Sequence, residues 1–326
     1  MTDWSKRRRL EAAIAGEQPD RPPVALWRHW PGDDQDAAAL AAAHLQWQRD
    51  YDWDLVKVGP ASSFSVAGWG VQDRWVGHIE GTREITHQPI QQVEDWQKLA
   101  VQDPSQGMLA AQIEALRLVG AGLGEETPFI ATIFSPLSQM KYMAGNERLV
   151  SHMRQYPDLF RAALAVITES TIRYVEAAKA SGISGIYYAV QHARYPVMSR
   201  AEFAEFGRPY DLQILEAASD LWLNVLHVHS TDIMFDLVAD YPAQIVNWHD
   251  RDTAVSLTDG LAQIPGAASG GVSQWTLHRE SPEQTLVEVE DALRQTDGRR
   301  LLLSTGCVAM VTTPLRNIRA LREAVM

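Results

Sequence analysis

The sequence predicts an α/β fold, a single (β/α)8 barrel over residues 1–326, with a β-hairpin excursion between its second and third strands. Three observations predict it. Short apolar runs alternate with stretches of helical period, which implies right-handed βαβ units and a parallel sheet. Most of the runs are continuous rather than alternating, as in strands buried on both faces. There are eight of them, a number that suits a closed ring better than an open doubly wound sheet.

In chain order the runs are Pro23–His29, Trp53–Pro60, Pro128–Ser135, Gly185–Val190, Leu223–His229, Gln244–His249, Gly266–Val272 and Arg300–Cys307. The seventh is rich in Gly and Ala and is the weakest of the set. Helical patterns fill the gaps at Asp36–Asp50, Met108–Val119, Asp158–Ser181, Arg200–Ser219, Ser281–Gln295 and Pro314–Ala324. Ser199 with Glu202 reads as a capping box. Ser281-Pro282 and Pro314 place proline at the first helical position. Gly120–Gly124 reads as a loop after a helix. Val71–Ile90 reads as a hairpin turning at Glu80-Gly81, which would cover one end of the barrel.

Composition excludes several classes. A net charge of -12 argues against a nucleic-acid partner. Cys307 is the single cysteine, so no intrachain disulfide exists and a reducing, cytoplasmic setting is expected. No apolar run is long enough for a membrane span. Met1–Arg9 is charged with no apolar run behind it, unlike a secretion signal, and Lys6–Arg9 reads as a solvated first helix turn. No Gly-x-Gly-x-x-Gly, Gly-x-Ser-x-Gly or Walker A pattern follows a strand.

Chemistry in such a barrel gathers at the C-terminal ends of the strands. Of ten histidines, His29, His192, His227, His229 and His249 lie at those ends. His227 and His229 are two residues apart, so in a strand both leave the same face. Cys307 ends the eighth run. Two imidazoles and a thiolate meeting at one rim would hold zinc with an open fourth position. The two runs are not neighbours in an eight-membered ring, so the rim must constrict for them to meet. His249-Asp250 reads as a proton-transfer pair or as the orienter of a ligand; a helix N-cap at Asp250 or Asp252 is the other reading. Arg28 and Lys57 are cations at the mouth that could hold a carboxylate, or could pair with Asp33 or Asp54. His29, Gln191 and His192 complete the expected substrate contacts.

These residues resemble the uroporphyrinogen decarboxylase superfamily over nearly the whole chain. Arg9–Gly16 with Asp20–Val24 is similar to its N-terminal segment, and Phe134-Ser135-Pro136-Leu137 through Tyr142 is similar to its pocket loop. Pro157-Asp158-Leu159 and Met198–Phe203 also match. Ser304-Thr305-Gly306-Cys307 followed by Thr313–Asn317 is the most specific segment, since the zinc-dependent, corrinoid-linked methyltransferases of the superfamily have Gly-Cys there and the decarboxylases Gly-His. The resemblance implies a TIM barrel, zinc on His227 and Cys307, and Tyr142 in the pocket. His229 replaces a cysteine of the methyltransferase branch. The decarboxylases' Arg-rich segment and Asp are absent from Leu26–Trp30 and Lys57–Pro60. The implied activity is a zinc-dependent methyltransferase or demethylase on a small oxygenated or carboxylated substrate, with a corrinoid on a partner protein as methyl carrier. A metal-dependent lyase or hydrolase, with His249 and Asp250 carrying protons, is the alternative. A non-catalytic small-molecule binding or accessory protein is the third reading, and a homodimer is left open.

Overall fold

The computed structural model describes residues 4–326. Its strands are β1 (Val56–Val58), β2 (Gln72–Arg74), β3 (Glu84–His87), β4 (Phe129–Phe134), β5 (Gly185–Val190), β6 (Val225–Val228), β7 (Ile245–Trp248), β8 (Ala267–Val272) and β9 (Leu301–Thr305). Seven of them form one curled parallel sheet in the order β1-β4-β5-β6-β7-β8-β9. Helices connect most successive strands, giving a TIM-barrel-like α/β fold. The antiparallel pair β2 and β3 is the expected hairpin, with Gly81 N donating to His78 O at its turn.

The first expected strand differs. Pro23–His29 is extended but forms only isolated bridges, Val24 to Leu303 and Arg28 to Ala309. Pro22 and Pro23 have no N–H to give to a ladder. Asp54, fully buried, fixes this segment instead. It accepts from Val24 N at 2.9 Å and from Arg21 Nη1 at 2.6 Å, and its own N–H donates to Val24 O at 3.0 Å.

Three helix boundaries also differ. Arg200–Ser219 is two helices, Arg200–Phe206 and Arg208–Ala217, because Pro209 cannot donate back to the preceding turn. The expected loop at Gly120–Gly124 is the end of a helix, Gly107–Leu123. Its glycines allow close packing: a Cβ at Gly120 would lie 2.8 Å from the Phe129 ring, and one at Gly122 would collide with Leu45. Pro314 stands one residue outside its helix, Leu315–Glu323. The capping box at Ser199 and Glu202 and the N-cap at Ser281 with Pro282 inside are present.

The period of two along β5 separates the cavity from the outer layer. Tyr187 faces inward. Tyr188 faces the helix Arg208–Ala217, where its hydroxyl donates to Asp211 Oδ1 at 2.6 Å, while Tyr241 donates to Oδ2 at 2.9 Å. Burial raises the Asp211 carboxyl from 3.8 to about 7, against the opposing donation of the two phenols. A carboxyl whose folded pKa is raised gives stability that is full below the unfolded pKa and lost as pH rises through the folded one. Asp211→Asn should therefore remove a loss of about 2–4 kcal/mol that the native protein suffers between about pH 4 and pH 7. Urea midpoints of both proteins across that window would check it; parallel curves would refute the assignment.

Candidate metal centre and substrate cavity

The strand register brings the expected donors together. His227 lies beside Ala189 of β5 and Asn247 of β7. His229 N donates to Val190 O at 2.9 Å, which continues the ladder past β6 and keeps both imidazoles on one face. His227 Nε2 is 3.4 Å from His229 Nδ1. Cys307 Sγ lies 3.9 Å from His227 Nε2 and 3.7 Å from His229 Nδ1. His249 adds a fourth donor, and one ligand atom from each of the four falls within 4.8 Å of all the others.

Two β-strands separate β6 from β9, so a local device must carry Cys307 across. Gly306 is that device. A Cβ there would lie 2.7 Å from Trp248 O and 2.8 Å from His249 Cα, so the turn after β9 rests directly on the end of β7. The intervening β8 yields space through two glycines at positive φ, Gly270 at 157° and Gly271 at 106°. A side chain at Gly270 would collide with the Asp250 carboxylate, which accepts from Gly271 N at 3.2 Å.

Asn247 sets the orientation of His227. It is fully buried. Its Nδ2 donates to Ser269 O at 2.9 Å and to Thr305 O at 3.1 Å. Its Oδ1 accepts from the Tyr187 hydroxyl at 3.0 Å and lies 2.6 Å from His227 Nδ1. With both amide protons committed to carbonyls, Oδ1 can only accept, so His227 carries its proton on Nδ1 and turns the Nε2 lone pair to the cluster. Tyr187 stacks on the ring, with centroids 5.2 Å apart.

Charge in the cluster is internally balanced. Burial opposes ionisation of the Cys307 thiol, but the contacts with His227, His229 and His249 prevail and hold it well below its ordinary value. Burial also opposes a proton on His249, yet Asp252 and Cys307 raise its pKa to about 9. His249 Nδ1 is 3.7 Å from Asp252, and its Nε2 is buried with no hydrogen-bond partner. The donor set fits a metal ion. Tetrahedral zinc with ordinary Zn–N and Zn–S lengths needs N···N edges of about 3.4 Å and N···S edges of about 3.6 Å. The three edges among His227, His229 and Cys307 come within a few tenths of an ångström of these.

A cavity of about 300 Å³ opens onto the cluster. It brings His29, Lys57, Tyr142 and Gln191 together with His227, His229 and Cys307. It does not include Arg28, His192 or Asp250. Arg28 lies in a separate surface cleft, stacked 4.4 Å from the Trp30 ring and donating to Val311 O, with neither Asp33 nor Asp54 as partner. His192 is buried behind the wall; its Nδ1 has no partner, and burial with the nearby Lys141 and Arg194 charges depresses it to about 3. Asp250 braces β8, and the next helix is capped by Ser256 rather than by Asp250 or Asp252. Burial raises Asp250 to about 6. His249 meets the donor cluster and not the cavity wall.

Sequence reasoning missed His249 as a donor, and Lys141 and Glu80 as cavity residues. Lys141 directly precedes Tyr142, so the pocket-loop resemblance held the signal for it. Glu80 sits at the turn of the hairpin that was expected to cover the barrel, and it lines the cavity with His78, Thr82 and Arg83. Lys57 is held to about 8 by burial, against the attraction of Cys307, and Lys141 to about 8 by burial and Arg194.

Comparison with known proteins agrees with this frame. The methylcobamide:CoM methyltransferase MtbA of Methanosarcina acetivorans is 20% identical, with 99% of this chain and 98% of the relative covered. A uroporphyrinogen decarboxylase of Syntrophotalea carbinolica is 25% identical over 50% of this chain and 48% of its own length. The solved structure of a methyltransferase from Methanosarcina mazei superposes with a TM-score of 0.87 at 20% identity, covering 99% and 98% of the two chains. A B12-independent methionine synthase from Shewanella sp. W3-18-1 superposes with a TM-score of 0.55 at 14% identity, covering 97% and 95%. The family model for uroporphyrinogen decarboxylase (URO-D) matches residues 5–326, and the chain belongs to that family.

Proposed function

We propose that this protein is a zinc-dependent methyltransferase or demethylase that acts on a small oxygenated or carboxylated substrate and exchanges the methyl group with a corrinoid on a partner protein. The observation that carries the reading is the triangle of His227, His229 and Cys307 at the floor of a cavity, with edges of 3.4, 3.7 and 3.9 Å. The similarity to MtbA over nearly the full length of both chains supports the methyl-transfer class and the corrinoid partner. Extended Pro23–His29, bridged to β9 and to Asp54, completes the closed (β/α)8 ring in this reading.

Zinc bound there supplies a Lewis acid that lowers the pKa of an oxygen or sulfur ligand. The chain's own residues do the rest. Asn247 holds His227 in the donating tautomer. His249 is a further donor to the ion, or holds a proton at Nε2 beside it. The donor set has one thiolate where a His-x-Cys pair with a second cysteine has two, so with a divalent ion it leaves a charge of about +1. That charge favours an anionic oxygen over release of a reactive thiolate. Lys57 and Lys141 attract an anion, and Tyr142, Tyr187 and Phe134 exclude water around it. Arg28, His192 and Asp250 act through the walls they support. Among the described residues no helix is long and apolar enough to cross a membrane.

Protein purified with zinc should hold about one equivalent, and His227→Ala or Cys307→Ala should lose most of it. It should bleach methylcobalamin when a carboxylated or hydroxylated acceptor is supplied. Hydrolysis or decarboxylation without methyl transfer would favour the lyase or hydrolase reading, and absence of bound metal would end the proposal.

Asn247→Ala should weaken zinc binding about 10–100-fold by freeing the His227 ring, without removing a ligand. Competition with a chromophoric chelator measures this directly. Unchanged affinity would mean that the amide does not orient the donor.

A further inference from the structure

The lysines of this chain sort into two kinds. Lys6, Lys98 and Lys179 are each paired with a carboxylate: Asp52 at 2.5 Å, Asp95 at 2.7 Å and Asp220 at 2.7 Å. Lys57 and Lys141 line the cavity, and among the described residues neither has a carboxylate within 4.0 Å. This holds in a chain with 41 acidic residues against 29 Lys and Arg. Lys57 is 5% exposed, makes no hydrogen bond among the described residues, and stands 4.6 Å from the Tyr187 ring centre. Lys141 donates only to Gln191 Oε1, at 3.1 Å. The one carboxylate on the cavity wall, Glu80, pairs with neither. The nearby Arg83 is already engaged by Asp34 and Asp73.

A buried cation without a counter-charge is destabilising and persists where a ligand completes it. The two ammonium groups are separate. Lys57 rises from β1, and its Nζ stands over the ring of Tyr187, the residue stacked on His227 of the donor cluster. Lys141 lies on the helix Pro136–Ala144, and its Nζ is held by Gln191, which follows Tyr187 by four residues and so lies about 13 Å further along at the rise of an extended chain. The two cations therefore address different stretches of the cavity wall, and two acidic groups on one ligand would complete both.

We infer that the substrate is a dianion with two separated acidic groups, one received by Lys57 next to the donor cluster and the other by Lys141 with Gln191. This rests on the reading of the cavity as the substrate pocket and adds the substrate's charge class. Two carboxylates, or a carboxylate and a sulfonate, would share this chemistry.

The test is isothermal calorimetry on the full chain, zinc-loaded and chelator-stripped, with linear dicarboxylates, monocarboxylates of equal length, and a carboxy-sulfonate. A dianion of one length should bind at least about tenfold more tightly than its monoanionic counterpart. Lys57→Met and Lys141→Met should each abolish that preference. Lys57→Met should melt no lower than the native protein, because it removes a buried charge that nothing in the chain pairs. Equal binding of mono- and dianions, no dianion binding at millimolar concentration, or a preference that survives Lys141→Met overturns the inference. The outcome is separable from methyl transfer. A dianion preference without methylcobalamin bleaching would refute the methyltransferase reading alone. Transfer to monoanionic acceptors that is indifferent to Lys141→Met would refute the dianion alone.

Discussion

The site depends on one buried amide. Asn247 ties β5, β6, β8 and the end of β9 to its own strand through Tyr187, His227, Ser269 and Thr305. All four strong hydrogen-bonding positions of the side chain are used, so its orientation is determined by its partners. That settles the proton on His227, and the lone pair that faces the cluster follows. It also fixes the backbone at Thr305, two residues before Cys307. An apolar residue of the same shape would leave Ser269 O and Thr305 O without these donors and His227 free to turn. The same side chain thus holds strand spacing and donor geometry, and the two cannot be varied independently.

Two buried ionisable groups on neighbouring layers show the difference between structural and functional burial. Asp211 is raised by burial yet receives two phenolic hydrogen bonds, so its requirements are met within the chain. Lys57 is equally enclosed and receives nothing but the face of Tyr187. Residues that only stabilise a fold are seldom left in that condition, because truncation to an apolar side chain would be favourable. In the proposed reading Lys57, enclosed against Tyr187, and the half-buried Lys141, held by Gln191 and Tyr142, together set the charge of what enters the cavity.

The strands were legible because burial on both faces leaves continuous apolar runs, and the histidine pair because a strand has a period of two. Pro23–His29 is extended as its apolar pattern suggests and bridges β9, with Pro23 O accepting from Leu303 N and Ala25 N donating to Leu303 O, but the ladder is broken into isolated bridges. The donor cluster was legible in His227, His229 and Cys307 taken together, although nothing in the pattern of the two runs brings Cys307 to the histidines. That contact comes from the lack of a side chain at Gly306, which lets the turn after β9 rest on the end of β7. His249 was seen at a strand end but assigned to proton transfer, because its nearness to His227, His229 and Cys307 is tertiary. Lys141 and Glu80 come from a helix and a hairpin, and only the fold brings them to the same cavity.

The donors differ in how firmly they are held, and this bears on the exchange of a histidine for a cysteine. His227 is locked by Asn247 and stacked on Tyr187. His249 is tethered loosely, with Asp252 at 3.7 Å. His229 is half-buried, and among the described residues its only side-chain contacts of hydrogen-bonding kind are with His227 and Cys307. Its ring orientation is therefore set by the cluster itself and not by a supporting partner. Substitution at this position changes the charge and softness of the donor set without disturbing the framework that aims the others. On the proposed reading, one donor locked by Asn247 beside one held only by the cluster would let a common site take acceptors of different chemistry, with His229 as the position at which they would differ.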